Sequence, residues 1–201
     1  IFFGALLPFF LLFSCSSDEE TVEETEFSQE DNQKATQVDM VFEGTLNIME
    51  AAYSEEEGRS TGLFPPCATI TITQTGDIIN LDIDFGVGWK LNNGVFGTGK
   101  ILLSYGTIIN NTREIDYSFI DYTYNQHPVS GGGEIVRLLE NQNGNPQSTV
   151  NETITVGFPE SSITATRTGL RIAEWVEGVG SGTWLDNVFH ITGYLITVSS
   201  N

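Results

Sequence analysis

Two carboxylates near the middle of the chain have the spacing that a metal site or an acid–base pair requires. Asp82 and Asp84 are separated by one residue in a segment that alternates apolar and polar side chains, so on a strand they share one face. With Asp77 or Asp121, such carboxylates bind hard cations such as Ca²⁺, and paired carboxyl groups also cleave glycosidic bonds. The simpler interpretation is the solvated face of an antiparallel strand. We therefore expect no cofactor, with Ca²⁺ at Asp82 and Asp84 as the alternative.

Aromatic side chains are the other residues suited to a ligand site. They flank predicted turns or lie on predicted strands, and the candidates are Trp89, Trp175, Trp184, Tyr122 and Tyr124. Exposed rings stack on sugars, whereas buried rings form the core of a β domain. We take the core as the default, and a glycan site on these side chains as the alternative.

Several functional classes find no support in the residues. His127 and His190 lack further ligands at short regular spacing, and there is no Gly-x-Ser-x-Gly motif. The glycines at 131–133 lack the Lys-Ser/Thr pair that grips a phosphate. A formal net charge of −19 without a basic patch excludes nucleic acid as a partner. We expect a protein that is not an enzyme and name no catalytic residue.

The N-terminal segment carries the most specific signal in the chain. The apolar run of residues 1–15 is too short to span a membrane, and it ends in Leu12-Phe13-Ser14-Cys15, which resembles the bacterial lipobox. That resemblance implies that Cys15 becomes the acylated N-terminus and the contact with the membrane. Residues 16–31 are acidic and nearly free of apolar side chains, so we expect a flexible tether. Acidic residues directly after such a Cys resemble the surface-export signal of Bacteroidetes lipoproteins.

One amphipathic helix is predicted over residues 32–58. Its apolar stripe consists of Val38, Val41, Phe42, Leu46, Met49, Ala52 and Tyr53, spaced mostly three and four apart. Asp39, Glu43 and Glu50 take the other side, and Gly58 ends the helix. The stripe is predicted to pack on the domain that follows, with a partner-binding helix or a lid over a cavity as alternatives.

Residues 65–201 are predicted to form an all-β domain. Short β segments recur at roughly regular spacing between Gly-rich turns, which indicates antiparallel architecture. We expect a mainly β fold, either a two-layer sandwich or a strongly curled sheet, of about nine strands: 67–75, 78–85, 100–106, 114–124, 129–139, 150–158, 162–168, 170–177 and 188–199.

Two of these strands are apolar on both faces. Residues 134–140 and 188–198 place large apolar side chains at both odd and even positions. Strands of this kind need cover on both sides, so we expect both to be enclosed.

The middle of the domain resembles a family of uncharacterised lipoproteins from Bacteroidetes, flavobacteria in particular. The resemblance rests on Asp84-Phe85-Gly86 with Gly88, on Gly97 and Gly99-Lys100-Ile101, and on Ile191-Thr192-Gly193. It covers about residues 67–193 and implies β architecture and an envelope location, without supplying a catalytic residue. In that family a Cys often follows the Asp-Phe-Gly-x-Gly motif, where this chain has Trp89, so Cys67 is not expected to pair with this loop.

These observations lead to one expected function and two alternatives. We expect a lipoprotein anchored in the bacterial outer membrane through Cys15, whose β domain is a non-enzymatic binding or structural module. Exposure at the cell surface and a location on the periplasmic side both stay open. The alternatives are a carrier of lipid or another hydrophobic ligand, with a half-open barrel, and a surface protein that binds or hydrolyses glycans. Because the chain starts without Met or a positively charged segment, we expect residues before Ile1, and also beyond Asn201.

Overall fold

The computed structural model describes residues 29–56, 58, 61–66, 68–179 and 186–200. Cys15, Cys67 and Trp184 lie outside these residues, as do the lipobox and most of the tether. One helix precedes eight strands: α1 (Gln29–Glu56), β1 (Thr69–Thr75), β2 (Ile78–Lys90), β3 (Phe96–Tyr105), β4 (Thr112–Tyr124), β5 (His127–Leu138), β6 (Gln147–Phe158), β7 (Ile163–Glu177) and β8 (Val188–Ser200).

The strands form one antiparallel meander in which every strand pairs with its neighbours in sequence. The mainly β class is confirmed, and the sheet stays open, with β1 and β8 as its edges. The segments predicted at 162–168 and 170–177 are one continuous strand, β7, so the described residues hold eight strands. Gly169 does not break this strand; instead it allows close pairing, because a Cβ there would lie 2.4 Å from the backbone oxygen of Tyr194.

The sheet curls around the helix. Side chains from β2 through β7 join those of α1 in one core cluster. Six strands about 4.8 Å apart span more than twice the roughly 10 Å diameter of a helix, so a flat sheet would leave most of them untouched. Register shifts in β2, β3 and β4 supply bends that favour the curl. We call the helix-covered side the inner face and the opposite side the outer face.

Helix α1 confirms the predicted apolar stripe, since all seven of its residues are buried. The helix begins three residues before the predicted start and ends at Glu56. Gly58 then adopts a φ of 82°, and its N–H donates to the Glu55 carbonyl oxygen at 3.0 Å. No helix within the described ranges is both long and apolar enough to cross a membrane.

Candidate functional site

The predicted carboxylate pair lies on the outer face, as the alternation of β2 requires. Asp84 binds the Lys100 ammonium at 2.8 Å and accepts the Gly86 N–H at 2.8 Å. The Lys100 hydrogen bond, followed by that of Gly86, lowers the pKa of Asp84. Within the described part of the chain, no group of three or more His, Cys, Asp or Glu side chains is placed to hold a metal ion.

Asp82 lines a shallow depression on the outer face of β1 to β4. Its volume is about 570 Å³, and the polar groups around it include Asn80, Lys100, Ser104, Asp116 and Ser118. These groups offer hydroxyl, amide and carboxylate partners for a polar ligand. None of the four described aromatic candidates, Trp89, Trp175, Tyr122 and Tyr124, lines it.

The aromatic candidates separate into core and periphery. Trp89 stacks on Phe85 with ring centroids 4.4 Å apart, and its indole N–H donates to the Asp84 carbonyl oxygen at 3.0 Å. Tyr122 is buried against the same Phe85, and its hydroxyl lies 3.3 Å from that of Thr45. Half-buried Trp175 lies far along the sheet, on β7, where it contacts Phe189. The described aromatics therefore form no common platform.

Tyr124 has a role that the sequence did not reveal. A Cβ on Gly44 would lie 2.2 Å from the Tyr124 hydroxyl and 2.4 Å from its ring. The absence of a side chain at Gly44 therefore allows the helix to approach β4 closely. Gly44 is a weak helix former, and its place in α1 is explained by this contact.

A cluster of charged groups lies between α1 and the inner face, and the sequence patterns did not predict it. Arg167 on β7 is 1% exposed. Its Nη1 donates to Asp39 Oδ1 at 2.7 Å, and its Nε lies 3.0 Å from Glu152 Oε1. The guanidinium also lies over the Phe42 ring, 3.9 Å from its centroid. Arg167 is thus enclosed by a helix carboxylate, a strand carboxylate and an aromatic face.

Glu152 on β6 completes this cluster. The Tyr117 hydroxyl donates to Glu152 Oε2 at 3.0 Å. Burial raises the pKa of the Glu152 carboxyl to about 7, against the opposing effects of Arg167 and Tyr117. Burial also raises the pKa of the Tyr117 hydroxyl, so this phenol stays protonated and remains a donor.

Two further ion pairs join the helix to the sheet. Arg171 binds Glu43 through two hydrogen bonds of 3.0 and 3.3 Å, and Arg137 binds Glu50. The helical periodicity predicts Asp39, Glu43 and Glu50 on the polar side of α1, opposite the apolar stripe. They lie instead at the flanks of the buried stripe, and their carboxylates reach arginines on the sheet. The alternation of β7 could have indicated this arrangement. Arg167 and Arg171 lie at odd-numbered positions, on the same face of the strand as buried Ala165 and Ala173.

Arg167 and Glu152 of this cluster are buried, whereas the helix carboxylate, Asp39, is 57% exposed. Arg167 Nη2 is buried without a hydrogen-bond partner among the described residues. No protein-family model, curated protein or solved structure matches the chain.

Proposed function

We propose that this chain is an acylated lipoprotein of the bacterial outer membrane, of the kind found in Bacteroidetes, whose β domain is a non-enzymatic binding or structural module. The observation that carries the proposal is the sequence Leu12-Phe13-Ser14-Cys15 after an apolar run and before an acidic segment. At least two acyl chains at Cys15 would make the attachment durable.

The position of the helix suits such an anchor. Gln29, the first residue of α1, follows Cys15 by 14 residues (29 − 15). Fully extended, that interval would reach at most roughly 50 Å. The tether would therefore hold the body close to the membrane, while its negative charges would keep it off anionic headgroups.

The distribution of polar groups supports a non-enzymatic role. Buried Arg167 on β7 pairs with buried Glu152 on β6 and with Asp39 on α1. On the outer face, Asp84 is neutralised by Lys100. These charged groups serve the fold, which leaves surfaces rather than a reactive centre for function.

A hydrophobic-ligand carrier would need space beneath α1. The helix fills that space with Val38, Ile48, Met49 and Ala52, each no more than 1% exposed. A ligand could enter only after α1 moved away, so the packing favours a surface-binding or structural module over a carrier.

Glycan binding stays the second candidate because the outer-face depression offers hydrogen-bonding groups. An Asp116→Ala variant should then lose retention on immobilised polysaccharide. Glu134→Ala is the matched control, since Glu134 pairs with Asp116 across β4 and β5 but does not line the depression. Equal retention of all three proteins would remove this candidate.

The anchor is tested by metabolic labelling with a fatty acid. The chain is expressed in a bacterial host behind an initiator Met and a short basic start. We expect label in the wild-type chain and in Cys67→Ser, and none in Cys15→Ser. Label in Cys15→Ser, or none in the wild-type chain while a known lipoprotein of the host is labelled, would overturn the proposal.

A further inference from the structure

The guanidinium of Arg167 is shared between two carboxylates that lie on different elements. Its Nη1 donates a hydrogen bond to Asp39 Oδ1 on α1 at 2.7 Å, while Glu152 Oε1 on β6 lies 3.0 Å from its Nε. The second contact is close but is not aligned as a hydrogen bond. Within the described part of the chain, Arg167 Nε, Arg167 Nη2 and Glu152 Oε1 are buried without a hydrogen-bond partner. The arginine is therefore oriented towards the helix.

The unused donors of Arg167 form the edge of the guanidinium that suits a carboxylate. Nε and Nη2 point to the same side of the planar group, and such a pair of donors binds a carboxylate through two parallel hydrogen bonds. Glu152 Oε1 already lies beside one of them. A small turn of the guanidinium would complete this pairing with Glu152, and it would move Nη1 away from Asp39. The geometry thus offers two pairings for one arginine.

The charge of Glu152 selects between these two pairings. A neutral carboxyl attracts the guanidinium weakly, which leaves Arg167 to Asp39. An ionised carboxyl at this position is buried, so water cannot solvate it and it needs the arginine. The side chain of Asp39 is 57% exposed, so it loses little when water replaces its partner. Ionised Glu152 therefore competes with Asp39 for Arg167, and burial favours Glu152.

The groups that face Glu152 set the pH at which it ionises. Burial opposes ionisation, and Glu43 on α1, the partner of Arg171, opposes it as well. Arg167 on β7 favours the ionised form, as does the Tyr117 hydroxyl on β4, which donates to Glu152 Oε2. The cross-strand neighbours of Glu152 on β5 and β7 carry no charge: Gly133 and Gly169. Because burial has the largest effect, the pKa of Glu152 rises to about 7.

We propose that Glu152 is a proton-controlled switch for the attachment of α1 to the sheet. While Glu152 is protonated, Arg167 binds Asp39 and holds the first half of the helix on β7. When Glu152 loses its proton, Arg167 turns to it and the helix around Asp39 loses this ion pair. The second half of α1 stays bound through Glu50 and Arg137. The inference goes beyond the proposed function, because it depends only on the described residues and does not require acylation.

Hydrogen exchange of the full chain in detergent tests the proposal. Amide exchange along α1 is measured at about pH 5.5 and at about pH 8.5, on either side of the titration of Glu152. Glu152→Gln stays uncharged at both values and is the reference at each pH, so the intrinsic effect of pH on exchange cancels. The quantity compared is the ratio of the wild-type rate to the variant rate, near Asp39 (residues 36–43) and near Glu50 (residues 48–54).

The two halves of α1 should respond differently to the higher pH. At the lower pH we expect the same ratio in both halves. At the higher pH the ratio for residues 36–43 should exceed that for residues 48–54 by roughly threefold, the size expected for the loss of a half-exposed ion pair. Equal ratios along α1 at the higher pH would show that a buried charge weakens the whole fold without a change of partner, and would overturn the inference.

A second measurement follows the titration of Glu152 itself and uses a variant at a largely exposed position. If Asp39 and ionised Glu152 compete for Arg167, removing one must favour the other. NMR of the Glu152 carboxyl carbon should give an acid dissociation constant roughly threefold larger in Asp39→Asn than in the wild-type chain. Glu50→Gln removes a helix carboxylate bound to a different arginine and should leave this constant unchanged. No change in Asp39→Asn, or an equal change in both variants, would overturn the inference.

Discussion

Arg167 on β7 and Glu152 on β6 form an ion pair in which the two side chains are 1% and 2% exposed and Nε lies 3.0 Å from Oε1. Asp39 on α1 binds the same guanidinium, so one arginine connects the helix to two strands. Removing one member of a buried pair leaves a charge with no compensation. We therefore expect the fold to be sensitive to the loss of a single charged side chain in this cluster.

Replacing Arg167 with Met should destabilise the chain by roughly 3–5 kcal/mol, because Glu152 and Asp39 lose their partner. Arg171→Met is the matched control on the same strand and face. Arg171 is 14% exposed and its partner Glu43 45% exposed, so we expect a loss of about 1 kcal/mol. Urea unfolding of both variants measures the difference, and equal losses would contradict the importance of burial.

Glu152 should make stability fall as pH rises from about 4.5 to 7. Its pKa is about 7 in the folded chain against an ordinary 4.5, so the folded state holds more protons than the unfolded state in that window. By linkage, the stability present below pH 4.5 is lost progressively towards pH 7, by up to roughly 3 kcal/mol.

Comparison with Glu152→Gln isolates this titration. The variant lacks the carboxyl and does not titrate at this position. As pH rises from 4.5 to 7, the free energy of unfolding of the wild-type chain should therefore fall relative to that of the variant. Urea unfolding at several pH values gives this difference directly. A difference that stays constant, or changes in the opposite sense, would show that Arg167 outweighs burial.

Gly44→Ala should destabilise the chain, although Ala favours an isolated helix by about 1 kcal/mol over Gly. The added Cβ would lie 2.2 Å from the Tyr124 hydroxyl, which forces the ring or the helix to move. In a Tyr124→Ala background the same change should become neutral or stabilising. Thermal unfolding of the wild-type chain, the two single variants and the double variant gives the double-mutant cycle. Additive changes in stability would argue against a contact between position 44 and Tyr124.

Lys100→Gln should raise the pKa of Asp84 without a measurable change in the free energy of unfolding. Lys100 makes the largest contribution to lowering that pKa, and the Gly86 N–H remains as a second one. The pKa should therefore move towards 3.8 without reaching it. Carboxyl carbon shifts followed by NMR measure this, and an unchanged pKa would show that the ion pair is absent in solution.

Local periodicity predicted most of the architecture. Leu81, Ile83 and Phe85 alternate with polar residues on β2 and are all buried, and the apolar stripe of α1 is buried as a whole. Such patterns are readable because each depends on residues close in sequence. The boundary between the predicted segments 162–168 and 170–177 failed because Gly169 serves close strand pairing rather than a turn.

The charged cluster could not be predicted in the same way. Asp39 and Arg167 are 128 residues apart in sequence, so their contact depends on how the sheet curls around α1. The alternation on β7 placed Arg167 on an apolar face, but it did not identify the partner. Gly44 and Tyr124 pose the same problem, since neither residue signals the other.

Intact-mass spectrometry of the mature protein, purified from bacterial membranes, decides whether Cys15 is acylated. We expect a chain that begins at Cys15 and carries at least two acyl chains, with residues 1–14 removed. A mature chain with a free thiol at Cys15 and no added lipid mass would contradict it.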